Sequence, residues 1–240
     1  MKIGVLITTT AVDFPSVLAT SVFLTGCNLR CPYCYNKALV TNNLSSEEGV
    51  TLEEVINHLE KRKNVLKGLV ISGGEALLSP HLEPLIKEAK NLGYKIKIDT
   101  NGTLPFLLEK LIQNTELCPD FIAMDIKTSL EKTGLLMPFC DNPEQIYKIQ
   151  ESIKESIKIL SNFPTEKREF RTVLVPPLVN KSDIEKISKL LPKDTSWQFA
   201  QFRNENCLDS NYNEISPYIE KDALELVQYA KTFIPKANLR

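Results

Sequence analysis

The chain has 240 residues, 42% hydrophobic and 25% charged, an ordinary globular composition with length enough for one large domain. Its 29 Lys and Arg stand against 30 Asp and Glu, a formal net charge of -1, which excludes the broad basic field of a nucleic-acid binder. No uninterrupted apolar stretch is long enough to span a bilayer, and the opening MKIGVLITTTAVDFP holds too short an apolar run for a secretory leader. The expectation is therefore a cytoplasmic chain with reduced thiols and no membrane or nucleic-acid partner, with 1–240 as a single domain carrying short N- and C-terminal extensions.

In chain order, β-rich runs alternate with helical patterns. The first run, ATSVFLT (19–25), leads into a loop with three cysteines, TGCNLRCPYCYN (25–36). A helix follows over 51–63, where Thr51 and Glu54 have the spacing of a capping box and Leu52, Val55, Ile56 and Leu59 share one face. GLVIS (68–72) is the second run; it ends in SGGE (72–75) and is followed by a helix over 80–93 that stops at Gly93. YKIKID (94–99) ends in DTNG (99–102), FIAMDI (121–126) closes with MDIK (124–127), and EFRTVLV (169–175) and SWQFAQF (196–202) complete the series. Further helices are expected over 104–114, 144–162, 181–191 and 217–233. Strand and helix alternating in this way imply parallel strands joined by right-handed crossovers. A closed eight-unit barrel takes about 250 residues. Six units are visible, so the expected fold is α/β, an open partial (β/α)6 barrel.

The motifs fall at the C-terminal ends of the strands, the face on which parallel α/β barrels build active sites. Gly26, Gly73, Gly74 and Gly102, four of the chain's nine glycines, lie at these same ends, where the backbone turns sharply or approaches a ligand closely. Cys27, Cys31 and Cys34 are spaced C-x3-C-x2-C with no fourth Cys or His nearby. A structural zinc site takes four closed ligands. An iron–sulfur cluster also takes four as a rule, and a [4Fe-4S] cluster held by three leaves one iron open to a substrate. Cys118, Cys140 and Cys207 are scattered and read as ordinary thiols, and His58 and His81 as ordinary surface residues.

With Tyr33 just before its last cysteine, this loop resembles the signature of the radical S-adenosylmethionine (SAM) enzymes. The loop, SGGE, DTNG, DIK and FRTVLV occur in the order and at the strand ends that superfamily uses. More narrowly, VDFPSVLATSVFLTGCNLRCPYC is similar to the activating enzymes of glycyl-radical proteins, especially the anaerobic ribonucleotide reductase activating group. Tyr35 departs from that group, many of whose members have His before the Asn.

The resemblance implies a [4Fe-4S] cluster on Cys27, Cys31 and Cys34 and SAM chelated at the open iron. It also implies reductive cleavage to a 5′-deoxyadenosyl radical, an electron donor such as flavodoxin or ferredoxin, and a glycyl-radical protein as partner. In that light Glu75 and the Gly73–Gly74 backbone can accept from the cofactor's ammonium group, and Tyr33 can pack on the adenine. Asn101 and Thr100 can meet ribose or carboxylate, or simply form a turn. Asp99, Asp125 and the cofactor carboxylate together demand counter-charge, from Lys127, from Arg171 turned inward, or from a monovalent cation held by Asp99, Thr100 and Asp125. Two other functions stand beside the activase: a small-molecule radical enzyme of the carboxydeazaguanine synthase kind, and an iron–sulfur electron-transfer protein. SGGE and DTNG favour the enzymes, because electron transfer needs neither.

Overall fold

The computed structural model describes residues 1–45 and 47–240. Its strands are β1 (Gly4–Thr10), β2 (Ala19–Leu24), β3 (Gly68–Gly73), β4 (Lys95–Thr100), β5 (Phe121–Asp125), β6 (Arg168–Leu174), β7 (Ser196–Gln201) and β8 (Ala237–Leu239). They are hydrogen-bonded in chain order in one eight-stranded sheet. The helices are α1 (Lys37–Val40), α2 (Leu52–Arg62), α3 (Leu82–Asn91), α4 (Pro105–Gln113), α5 (Pro143–Ser161), α6 (Lys181–Ser188) and α7 (Glu220–Lys231). The six expected strand–helix units are β2 to β7 with the helices α2 to α7 that follow them. Two strands were not expected. β1 pairs antiparallel with β2, and its residues Val5 to Thr9 are only partly buried or exposed, so it lacks the buried apolar run that marks the others. β8 has three residues, too short for a periodic pattern, and pairs parallel with β7.

The chain divides into two compact units. The first comprises Met1–Asn28, Ala38–Thr100 and Leu107–Ile122. Here β2, β3 and β4 pair in parallel, with Ala19 beside Gly68 and Gly68 beside Lys95. They are buried along nearly their whole length, as parallel strands covered on both faces must be. α2 begins at the expected capping box, in which Glu54 N–H donates to the Thr51 hydroxyl at 3.1 Å and Thr51 N–H to the Glu54 carboxylate at 2.6 Å. Val55 and Leu59 are the buried positions of α2, and Leu82, Leu85, Ile86 and Ala89 those of α3. Phe14 packs with Ala19, Val70 and Phe121, its ring 6.1 Å from that of Phe121.

The second unit comprises Leu29–Lys37, Asn101–Phe106 and Ala123–Arg240. β6, β7 and β8 pair in parallel around Phe170, Trp197 and Phe199, all fully buried. Trp197 and Phe199 lie two residues apart on one face of β7, ring centroids 4.5 Å apart. The indole N–H donates to Thr172 Oγ1 at 3.0 Å, and the Thr172 hydroxyl donates to the Ile126 carbonyl at 2.8 Å, so the polar handle of the largest core residue is satisfied. α5 ends at Ser161, where the buried Arg168 guanidinium donates to the carbonyls of Leu160, Ser161 and Phe163. The Leu160 carbonyl also accepts from Phe163 N–H at 3.0 Å, so the guanidinium adds to the capping of the helix end and of the turn after it.

Arg168→Ala would strip a common donor from three carbonyls, and unsatisfied buried groups cost about 1–3 kcal/mol each. Urea unfolding of the variant should show a loss of about 2–4 kcal/mol, whereas Lys167→Ala, at the exposed neighbouring position, should change stability by no more than about 0.5 kcal/mol.

Candidate active site

The cysteine loop leaves β2 through Gly26, whose φ of +90° lies in the left-handed region that glycine tolerates. Gly26 N–H donates to the Leu39 carbonyl at 2.8 Å, so α1 holds the turn from one side. From the other side Gly74 N–H donates to the Leu24 carbonyl at 2.9 Å, and Glu75 N–H to the Gly26 carbonyl at 2.8 Å. This explains the paired glycines of SGGE. A Cβ on Gly74 would stand 2.1 Å from the Gly26 carbonyl oxygen and 3.1 Å from Cys27 Cβ, and one on Gly73 would stand 2.2 Å from the Leu24 carbonyl oxygen. The end of β3 lies against the backbone that presents Cys27, and only glycine leaves room for it.

In the second unit, Cys34 N–H donates to the Cys31 carbonyl at 3.0 Å, a turn that carries both thiols with Tyr33 between them. Arg30 N–H donates to the Leu136 carbonyl at 3.0 Å, Asp209 N–H to the Pro32 carbonyl at 2.9 Å, and Leu208 N–H to the Cys34 carbonyl at 2.9 Å. The segment at 208–209 therefore braces the loop, a role that nothing local in its sequence announces. Cys27, Cys31 and Cys34 lie outside disulfides, Cys31 buried and the other two partly exposed. Tyr33 is buried and meets Phe202 edge-on at 6.4 Å, and its hydroxyl has no hydrogen-bond partner among the described residues. Burial raises its pKa, nearby Lys127 opposes this, and Cys31, Asp125 and Cys34 add to it, so the phenol stays neutral.

The charged candidates form small, locally paired groups. In the first unit Glu75 is buried, and its Oε1 accepts from the Thr100 hydroxyl at 2.8 Å and from Leu77 N–H at 3.2 Å, which ties DTNG to SGGE. Asp99 is paired with Lys97, two residues earlier on the same face of β4. Sequence reasoning missed Lys97; its signal was a lysine between two isoleucines in the middle of a strand. In the second unit Asn101 Oδ1 accepts from Thr103 N–H at 3.0 Å and from the Thr103 hydroxyl at 2.6 Å, the turn use of that residue. Gly102 beside it has φ +73°. Arg171 is turned onto Asp125, Nε to Oδ1 at 2.8 Å, and Lys127 Nζ donates to Oδ2 at 3.2 Å. Burial pushes the Asp125 carboxyl up, but Arg171 and Lys127 outweigh it and hold the carboxyl well below the usual carboxylate range. Tyr35 is exposed.

The thiol chemistry of the loop suits iron and sulfur, although among the described residues no three His, Cys, Asp or Glu side chains converge as a metal site. The loop carries three soft thiols outside disulfides, the glycine cradle beside Cys27 admits no side chain, and the buried Tyr33 hydroxyl has no partner among the described residues. A family model described as the radical SAM superfamily matches residues 21–191. A Methanocaldococcus jannaschii protein named for glycyl-radical enzyme activation is 30% identical over 230 residues, which span 95% of this chain and 91% of that one. The 7-carboxy-7-deazaguanine synthase of Hyperthermus butylicus is 34% identical over 93 residues, 38% of each chain. Among solved structures, QueE from Escherichia coli superposes with a TM-score of 0.55 at 14% identity, covering 99% of this chain and 92% of that one, a likeness of fold.

Gly74→Ala should displace the Gly26–Cys27 backbone and lower the iron bound per chain after anaerobic reconstitution. Gly93→Ala, at a helix end with nothing within 4 Å of the added Cβ, should keep its iron and lose only about 1 kcal/mol to backbone strain. A second expectation follows from Asp125. Its pKa is depressed on folding, so it contributes stability above the unfolded value of about 3.9 and loses it as pH falls further. Acid titration of wild type and Asp125→Asn, followed by circular dichroism, should show the flatter stability profile in the variant below pH ~4.

Proposed function

The chain belongs to the radical SAM superfamily, and we propose that within it the protein is an activating enzyme that installs a glycyl radical on a partner such as anaerobic ribonucleotide reductase. The observation that carries this reading is the span of the similarity. The relative named for glycyl-radical enzyme activation matches 95% of the chain, whereas the deazaguanine synthase matches 38%. The family implies a [4Fe-4S] cluster and SAM, which when bound supply one-electron cleavage of the sulfonium to a 5′-deoxyadenosyl radical.

In this reading residues 1–240 act as one catalytic domain. Cys27, Cys31 and Cys34 ligate three irons. Glu75, with the Gly73–Gly74 backbone, accepts from the SAM ammonium group. Thr100 keeps the Glu75 carboxylate in place through its 2.8 Å hydrogen bond. Tyr33, kept neutral by burial, supplies an aromatic wall for the adenine. Arg171 and Lys127 bring positive charge for the SAM carboxylate while Asp125 fixes their orientation, and Asn101 and Asp99 set the turn and charge at the end of β4. A flavodoxin or ferredoxin delivers the electron.

The second reading, a small-molecule radical enzyme, rests on the local match to the deazaguanine synthase. One experiment separates the two. Reduced, reconstituted enzyme is mixed with SAM and an anaerobic ribonucleotide reductase deuterated at its C-terminal glycine α-carbon, or with a carboxylated tetrahydropterin. Deuterium in 5′-deoxyadenosine and a glycyl doublet in the partner's EPR spectrum are expected. Label-free deoxyadenosine in the first mixture with turnover of the pterin in the second would replace the activase reading by the small-molecule one.

A further inference from the structure

Lys97 is the one lysine among the largest fully buried side chains of the described residues, with 0% of its side chain exposed. It lies mid-strand in β4, on the face opposite Ile96 and Ile98, and its strand register sets it beside Val70 of β3, which is in turn beside Ser21 of β2. Val70 offers the four-carbon stem an apolar surface. A buried ammonium without an anion is prohibitively costly. Asp99 is an anion that Lys97 Nζ contacts directly. Asp99 keeps 12% of its side chain exposed and is the next-to-last residue of the strand, followed by the buried Thr100 and Asn101. The pair thus runs from the sheet interior, where the charge is anchored, to the strand end, where it is presented.

The sequence left open a monovalent cation held by Asp99, Thr100 and Asp125. Within the first unit the structure commits two of these groups otherwise: Asp99 takes the Lys97 ammonium, and the Thr100 hydroxyl donates to Glu75 at 2.8 Å. We infer that Lys97 is the resident cation of Asp99, a tethered ammonium standing where a free alkali-metal ion would otherwise be recruited, so that SAM binding here requires no monovalent cation. Lys97 is a positioning residue in this scheme. It fixes the carboxylate of Asp99 and neutralises it, and no part of it is asked to touch the reacting atoms. A tethered cation loses no translational freedom on binding and is always present, so the site does not follow cellular sodium or potassium. The inference rests on the reading of the β4 end as part of the SAM site.

The test is calorimetric titration of SAM onto anaerobically reconstituted protein at fixed ionic strength, with sodium, potassium, ammonium or tetramethylammonium as the only monovalent cation. Wild-type affinity should agree across all four within about twofold, a difference well under 1.4 kcal/mol. Lys97→Ala, which leaves a void beside Asp99, should bind about tenfold or more weakly in tetramethylammonium, the loss expected for one charge-assisted contact, and recover in ammonium or potassium. Lys97→Met fills the void without charge and should stay weak in every buffer. A wild type that binds tenfold tighter in sodium or potassium than in tetramethylammonium, or a Lys97→Ala variant as tight as wild type throughout, overturns the inference. If the wild type binds SAM in none of the buffers, the SAM reading itself fails. Melting temperatures then decide the counter-ion role without the cofactor. A rise with ammonium or potassium over tetramethylammonium in Lys97→Ala alone sustains it, and an equal response in wild type and variant rejects it.

Discussion

A parallel strand covered on both faces cannot carry a charge unless the counter-charge folds in with it, and this constraint organises the ends of the central strands. At the end of β4 the aspartate of DTNG is matched by Lys97 two residues earlier, on the same face. At the end of β5 Asp125 is matched by Arg171 from β6 and by Lys127 just beyond the strand. Glu75, past the end of β3, is buried and held by the Thr100 hydroxyl and Leu77 N–H. Each acidic group is thus oriented by a neighbour before any ligand arrives, so a bound molecule meets groups already fixed in direction. Preorganisation of this kind is what lets electrostatic groups act without reorganising at the moment of reaction.

The second constraint is steric. β3 ends so close to the backbone leading to Cys27 that two consecutive residues must lack side chains, and the hydrogen bonds from Gly74 to Leu24 and from Glu75 to Gly26 use that proximity. The turn at Cys31–Cys34 is held differently, by backbone contacts from Leu208 and Asp209. A loop of soft ligands would otherwise be mobile, and its thiols open to oxidation. These contacts fix its backbone carbonyls and amides from outside.

These contacts orient the loop and the acidic groups and do not by themselves name a substrate. The extent of similarity to the relative named for glycyl-radical enzyme activation, against the partial match to the deazaguanine synthase, is what weights the protein-substrate reading. The tethered ammonium on Asp99 is neutral to that choice. It concerns how the site is charged, not what the radical attacks.

Much was legible in the sequence because it is local. The six central strands, the Thr51 capping box, the glycine at the end of α3 and the three-cysteine loop depend on near neighbours, and strand ends fix where the motifs fall. β1 and β8 escaped because one is largely exposed along its centre and the other is three residues long, so both take their identity from the strands they pair with. The sequence also raised the pairing of Arg171 with Asp125, since alternation along β6 sets the face on which Arg171 lies. It could not choose that partner over others, nor find the brace at Leu208 and Asp209, which lies more than 170 residues from the loop it holds. Lys97 marks the boundary most sharply. Residue order gives a lysine and an aspartate on one face of a strand, but only the burial of that face by the rest of the fold turns their spacing into an obligatory ion pair, because the cost of an unpaired charge is set by the tertiary surroundings and not by the neighbours in the chain.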